Sequence, residues 1–342
     1  MKGTYRVVVQ NKKIKYDFEI KRNLTVIQGD SATGKTTLVE MIQEYYENGD
    51  DSGISVVADR TCAVIEGRGW KGQLSELSKC IIFIDEGNRF VSSREFAEVI
   101  RETDNYYVIV TRESLETLPY SVSEIYGIRT SGKYGSLKQT YNEMFHIYEK
   151  DNYAEEIRPD LVITEDSNAG FQFFDSVCEH NNIQCISANG KSNVFQMVNK
   201  CNSKNMLIVA DGAAFGSEMR RLMQLIKKSE DIVLYLPESF EWLVLRSGIF
   251  EERRVKGILE DPGSYIESSE FFSWERFFTS LLINLTKDSY LKYSKRVLNK
   301  AYTERNISDK ILNGMTGIDL LWKREKGESA DAVSESTDRP GG

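Results

Sequence analysis

Residues 29–36, Gly-Asp-Ser-Ala-Thr-Gly-Lys-Thr, constrain this chain more than any other stretch. They fit the pattern G-x-x-x-x-G-K-[ST] and stand between a short apolar run, "NLTVI", and a segment with apolar residues at Leu38, Met41, Ile42 and Tyr45. The first run predicts a strand and the second spacing a helix. Gly29 and Gly34 permit backbone conformations and close approaches that a Cβ would hinder. Successive amides at such a strand-to-helix turn make an anion cradle, reinforced by the helix N-terminus. The expected nucleotide-binding residues are Gly29, Asp30, Ser31, Ala32, Thr33, Gly34, Lys35, Thr36 and Thr37. Lys35 can reach the β- and γ-phosphates, and the Thr36 hydroxyl can ligate Mg²⁺.

This turn needs an α/β frame, and the surrounding sequence supplies one. "TYRVVVQNKKIKYDFEI" reads as an antiparallel hairpin about a polar turn. Strands are expected in "GISVVAD", "TCAVIEG", "KCIIFIDEGNRF" and "YYVIVTRE". "SREFAEVIRET" is expected as a helix, with Ser93 as its N-cap and Phe96, Val99 and Ile100 as its apolar face. Residues 113–157 carry no clear pattern, although "SGKYGS" has loop composition. From residue 159 four strand–loop–helix units follow, beginning at "PDLVITEDSNAG", "IQCISANGKS", "NMLIVADGAAFG" and "DIVLYLPES". Past Ser273 the pattern turns helical, and the last 18 residues are small, polar and charged, a composition that predicts disorder.

The expected fold is α/β: two doubly wound, mostly parallel sheets, then a helical C-terminal segment. The 342 residues agree with two domains at about 150 residues each. The expected boundaries are 1–150, 158–262, 263–324 and a tail over 325–342. A net charge of -8 gives no global basic footprint, so nucleic-acid contact would have to be local. The five cysteines form no C-x-x-C and there are only two histidines, which disfavours a zinc site. The N-terminal residues have no signal-peptide pattern, and no apolar run reaches the roughly 18 residues of a spanning helix. The expectation is a cytoplasmic protein without membrane contact.

A phosphate grip for hydrolysis needs acids. "IIFIDE" puts Asp85 and Glu86 at the end of a buried strand. Asp85 suits water-mediated Mg²⁺ binding, and Glu86 suits polarisation of an attacking water. Lys35 and Glu86 are the candidate catalytic residues. Thr111 and Arg112 end the next strand, where a polar group could sense the γ-phosphate.

Loop and acid pair together resemble the ATPase branch of P-loop NTPases. The leading hairpin resembles the start of ABC-type ATPase cores, but no LSGGQ-type signature precedes Asp85 and the interval to it is short. No N-K-x-D for guanine is present. The resemblance implies a compact Mg²⁺-dependent ATPase core, with Thr36 and Asp85 placing the metal and ATP as substrate. The second series, with Glu165 after its first strand and Asp211 after its third, resembles the Toprim fold. "NGKSNVFQMVN" is similar to a segment of the Toprim domain in OLD-family nucleases, and the whole order resembles a reduced member of that family. That resemblance implies a second metal site at Glu165 and Asp211. The second aspartate of the family's D-x-D is replaced by Ala213, with Glu218 and Glu238 as nearby acids.

Two functions stay open. One is an ATP-regulated nucleic-acid-acting protein in defence against mobile elements. The other is an ATP-driven switch or scaffold whose inactive Toprim-like domain binds a protein partner. DNA or RNA contact is expected through the C-terminal half, where Lys292, Lys295, Arg296, Lys300 and Arg305 interleave with Tyr290, Tyr293 and Tyr302. An ordinary solvated helix face explains the same residues. Oligomeric state is left open.

Overall fold

The computed structural model describes residues 1–29, 33–131, 139–148, 157–201, 205–229 and 231–321. The expected disordered tail, most of "SGKYGS" and loop residues Asp30, Ser31 and Ala32 lie outside the described residues. The chain is α/β and divides into two compact units. The first comprises Met1–Lys150, Asp211–Arg221 and Glu252–Phe278, and the second Asp151–Ala210, Leu222–Glu251 and Thr279–Gly342.

The first unit holds a mixed nine-stranded sheet, ordered β4-β1-β2-β9-β8-β3-β7-β6-β5. β1 (Tyr5–Gln10) and β2 (Ile14–Ile20) form the expected hairpin. Asn11 closes its turn by accepting from the Lys13 and Ile14 amides. β4 (Ser55–Ala58) pairs antiparallel outside β1. β8 (Ile125–Thr130) and β9 (Thr140–His146) come from the stretch without a legible pattern. β9 is antiparallel to β8 but parallel to β2, and so joins the hairpin to the rest of the sheet.

The other half of the sheet is parallel. β3 (Leu24–Ile27) lies between β8 and β7 (Tyr106–Val110), and β7 separates it from β6 (Ile81–Ile84), which pairs with β5 (Cys62–Val64). Every residue of β3, β6 and β7 is buried, which is why these strands read as apolar runs without alternation. α1 (Lys35–Asn48) packs Leu38, Val39, Met41 and Ile42 into one core with Val7, Val9, Phe18, Ile27 and Phe83. Each such side chain contributes about 1.5–3 kcal/mol by leaving water. α2 (Trp70–Ser75), not anticipated from the sequence, seats Trp70 against Phe90 and Phe96. α3 (Arg94–Val99) starts at Ser93, whose side chain accepts from the Phe96 amide as expected.

The second unit carries a four-stranded parallel sheet, ordered β11-β10-β12-β13. β10 (Leu161–Thr164) and β12 (Met206–Val209) are central and fully buried, whereas β11 (Gln184–Ser187) and β13 (Ile232–Tyr235) are partly covered edges. The strands lead into α4 (Ala169–His180), α5 (Lys191–Lys200), α6 (Met219–Ile226) and α7 (Phe240–Arg246), so all four expected βα units form. α8 (Arg253–Glu260) belongs to the first unit.

The C-terminal segment differs from a continuous helix. α9 (Trp274–Thr286) stops, and the chain stays irregular until a 3₁₀ turn at Lys300–Thr303 and α10 (Arg305–Leu312). The physical reason is competition for backbone groups. Between those elements the Lys295 and Arg296 carbonyls accept from the Ala169 amide and the Gln172 side chain of α4, and the Leu298 amide donates back to Gln172.

Candidate functional site

The phosphate-loop pattern lies where its chemistry requires, between β3 and α1. Gly29 has φ +130° and Gly34 φ +87°, conformations that a side chain would strain. Gly34 is also walled in. A Cβ there would meet the Tyr16 hydroxyl at 2.8 Å, and Asn142 lies just beyond. The Tyr16 hydroxyl donates to the Gly34 carbonyl at 2.8 Å. Burial raises the Tyr16 phenol above its usual pKa, opposed by a hydrogen bond with Asn142. Tyr16 and Asn142, on β2 and β9, are site neighbours that the sequence did not reveal. Their only signal is an inward position on a strand, shared with many core residues.

Lys35 is buried, and its ammonium donates to the Gly29 carbonyl at 3.0 Å and the Thr33 hydroxyl at 2.9 Å. Its cation is therefore held by the residues on either side of the undescribed part of the loop. Thr36 is exposed at the start of α1, and Thr37 is half-buried behind it.

Asp85 and Glu86 leave the C-terminal end of β6 and enter a tight turn at Gly87, φ +96°. Asn88 braces that turn: its amide donates to the Asp85 carbonyl at 3.0 Å, and its oxygen accepts from the Gly67 amide at 2.9 Å. Asp85 Oδ1 is buried and has no hydrogen-bond partner among the described residues. An orphaned buried carboxylate oxygen is costly unless something satisfies it. Glu86 is paired instead, to the Arg112 guanidinium at 2.7 Å. Because β3, β7 and β6 are parallel neighbours, loop, Thr111–Arg112 and acid pair all emerge on one edge of the sheet. Two strand spacings separate loop from acids by roughly 10 Å. The hard oxygen donors of Thr36 and Asp85 suit Mg²⁺.

The Thr111 hydroxyl is taken up locally. Thr111 is buried, and its hydroxyl closes its own turn, accepting from the Glu113 amide at 3.0 Å and donating to the Glu113 carbonyl at 3.2 Å.

At the second candidate site, Glu165 follows β10, its amide donating to Val209 and its carbonyl accepting from Gly190. Asp211 begins the segment Asp211–Arg221, which belongs to the first unit, whereas Glu165 belongs to the second. Among the described residues no group of three or more His, Cys, Asp or Glu side chains could hold a metal ion. Within the first unit, Gly212 accepts from the Val122 amide and the Ser121 hydroxyl, and the Gly216 amide donates to Tyr120. A Cβ on Gly216 would overlap the Tyr120 ring at 2.4 Å. Ala213 is buried in this packed segment, so the position to which the resemblance would assign an aspartate is occupied by core.

A buried polar cluster in the second unit had not been anticipated. Glu241, fully buried in the first turn of α7, accepts from the Tyr293 hydroxyl at 2.7 Å and pairs with Lys295 at 3.2 Å. Burial raises the Asp166 carboxyl above its usual pKa, with Lys295 opposing and Glu241 adding to the shift. The Asp166 carboxylate accepts from the Phe171 amide and so anchors the start of α4.

This cluster takes in part of the expected basic, aromatic helix face, while Lys292 and Arg296 are exposed. Tyr293 and Tyr302 are buried, Tyr302 donating to the Leu291 carbonyl. Lys295 is committed to Glu241 and Arg305 to Asp309, and Tyr290 alone of the three tyrosines is well exposed. All five cysteines are free; burial pushes the Cys62 thiol up to about 12, which leaves it unreactive. Among the described residues no helix is long and apolar enough to cross a membrane.

No protein-family model matches the sequence. A comparison with curated proteins finds no match either.

Proposed function

We propose that the chain binds and hydrolyses ATP with Mg²⁺ at the edge of the nine-stranded sheet. One observation carries this: the phosphate loop and the acid pair leave parallel strands of one sheet on the same edge, one strand apart, and Asp85 Oδ1 is buried without a hydrogen-bond partner among the described residues. The loop amides and Lys35 hold the β- and γ-phosphates, and the Thr36 hydroxyl with Asp85 would hold Mg²⁺. When bound, Mg²⁺ neutralises phosphate charge as the bond to the β-phosphate oxygen breaks. Glu86 accepts a proton from the water that attacks the γ-phosphorus, giving ADP and phosphate. The lack of N-K-x-D supports ATP over GTP.

The test is nucleotide binding by calorimetry and phosphate release on the full chain. Lys35→Ala is expected to abolish binding. Glu86→Gln is expected to keep binding and lower turnover by about 100-fold or more. Binding unchanged by Lys35→Ala would sink the proposal.

For the second candidate site, the burial of Ala213 and the packing of Gly212 and Gly216 within the first unit favour the switch over the nuclease. ATP turnover then drives a Toprim-like domain that binds a protein partner and does not cut nucleic acid. Plasmid nicking in Mg²⁺ or Mn²⁺ that Glu165→Ala abolishes would restore the nuclease.

A further inference from the structure

The segment from Tyr290 to Asn299, in the second unit, is a loop whose two ends are tied together. The Asn299 side-chain amide donates to the Tyr290 carbonyl at 2.7 Å and to the Lys292 carbonyl at 3.3 Å. Gln172 of α4 holds the later part, donating to the Arg296 carbonyl and accepting from the Leu298 amide, each at 2.9 Å. Leu291, Tyr293 and Leu298 are buried. Compact surface loops with closed ends are frequently functional. The side chains left outside define a chemistry. Tyr290 is 70% exposed and Val297 68%, the highest among the large apolar side chains of the described residues. Lys292, Arg296 and Lys300 are exposed with them, and none of the three forms an ion pair among the described residues. No acid occurs between Asp288 and Glu304. A chain of net charge -8 thus carries one fixed loop that presents cations and bare apolar side chains together.

That combination fits an acidic peptide better than a nucleic-acid strand. Stacking along a single strand uses successive aromatic platforms, and Tyr293 and Tyr302 are buried, which leaves Tyr290 alone. Val297 offers a base no stacking face, but it suits an aliphatic or aromatic side chain. A long polyphosphate also meets the net negative charge of the chain, whereas a short acidic segment meets the local cations. Because the loop is already fixed, docking orders little on this side. Building on the reading of the second unit as partner-binding, we propose that this loop docks a short acidic segment of a protein partner. Lys292, Arg296 and Lys300 meet its carboxylates, and Tyr290 and Val297 cover an apolar side chain carried among them.

The test is fluorescence anisotropy on the full chain with two labelled probes, a peptide of repeating Asp-Glu-Leu and an oligothymidylate of equal charge. Wild type is expected to bind the peptide more tightly than the oligonucleotide, and more weakly as salt rises. Lys292→Glu with Arg296→Glu is expected to weaken the peptide by about tenfold. Tyr290→Ser with Val297→Ser is expected to weaken it by about tenfold as well. All four side chains are exposed, so both double variants should keep the wild-type urea midpoint. Three results overturn the proposal: a wild type that does not bind the peptide, a peptide affinity unchanged in either double variant, or tighter oligothymidylate binding that the same variants abolish. A wild-type dimer that both variants turn into monomer in sedimentation assigns the loop to a second copy of the chain and overturns it too. Metal-dependent plasmid nicking abolished by Glu165→Ala instead overturns the partner-binding reading of the second unit, a failure the peptide titration does not share.

Discussion

At the scale of single residues, the phosphate loop is shaped as much by its neighbours as by its own glycines. Gly34→Ala meets two obstacles, a positive φ and the Tyr16 hydroxyl. The conformation alone costs about 1–2 kcal/mol. The variant should show a lower urea midpoint and weaker nucleotide binding in calorimetry. Tyr16→Phe should cost about 1 kcal/mol and weaken nucleotide binding less than Gly34→Ala does, since it removes one hydrogen bond and keeps the ring. Asp166 supplies a pH test. Its folded pKa is raised above the ordinary value of 3.8 by burial, so the folded state binds more protons than the unfolded chain. Its contribution to stability therefore falls as pH rises through 3.8 toward the folded value. Asp166→Asn keeps an acceptor for Phe171 and removes that penalty. Its urea midpoint relative to wild type should increase as pH rises above 3.8 and then level off; a constant difference would refute the assignment.

Among the elements, periodicity made α1, α3 and the four βα units legible, because each buries one face against a sheet. The Ser93 cap is a local interaction, and Ser93→Ala should cost about 1 kcal/mol in chemical denaturation. Local reading failed from Lys287 to Asn299. There the chain has helix-forming residues, but α4 takes its backbone hydrogen bonds and the core takes Tyr293. Of the five cations expected to face nucleic acid, Lys295 instead compensates a carboxylate that has no access to water. Lys295→Met should cost about 3 kcal/mol by stranding Glu241. Replacing both residues, as Glu241→Leu with Lys295→Met, should cost less than the two single changes summed, which a double-mutant cycle reads directly.

For the whole molecule, the first unit is discontinuous in sequence. Glu267 and Ser268 hold the Met1 amino group, the Phe272 carbonyl accepts from Asn23, and Trp274 stacks under Arg22 at 3.4 Å. A fragment ending at residue 150 loses all of these partners. It should lack a cooperative urea transition that the full chain possesses, with circular dichroism as the readout. A fragment as stable as the full chain would show that the later segments are dispensable.

The sequence by itself determined the α/β class, the step from β3 into α1 around Gly29 and Gly34, and the strand ending in Asp85 and Glu86. These depend on interactions between residues close in the chain and on burial that leaves an apolar imprint. Tertiary structure alone decided that β7 stands between loop and acids, that Arg112 holds Glu86 and that Tyr16 closes on Gly34. It alone decided that the Ala213 segment belongs to a packed core. Strand order and side-chain partnership join residues far apart in sequence, and local pattern carries no record of which distant strand a given strand will pair with.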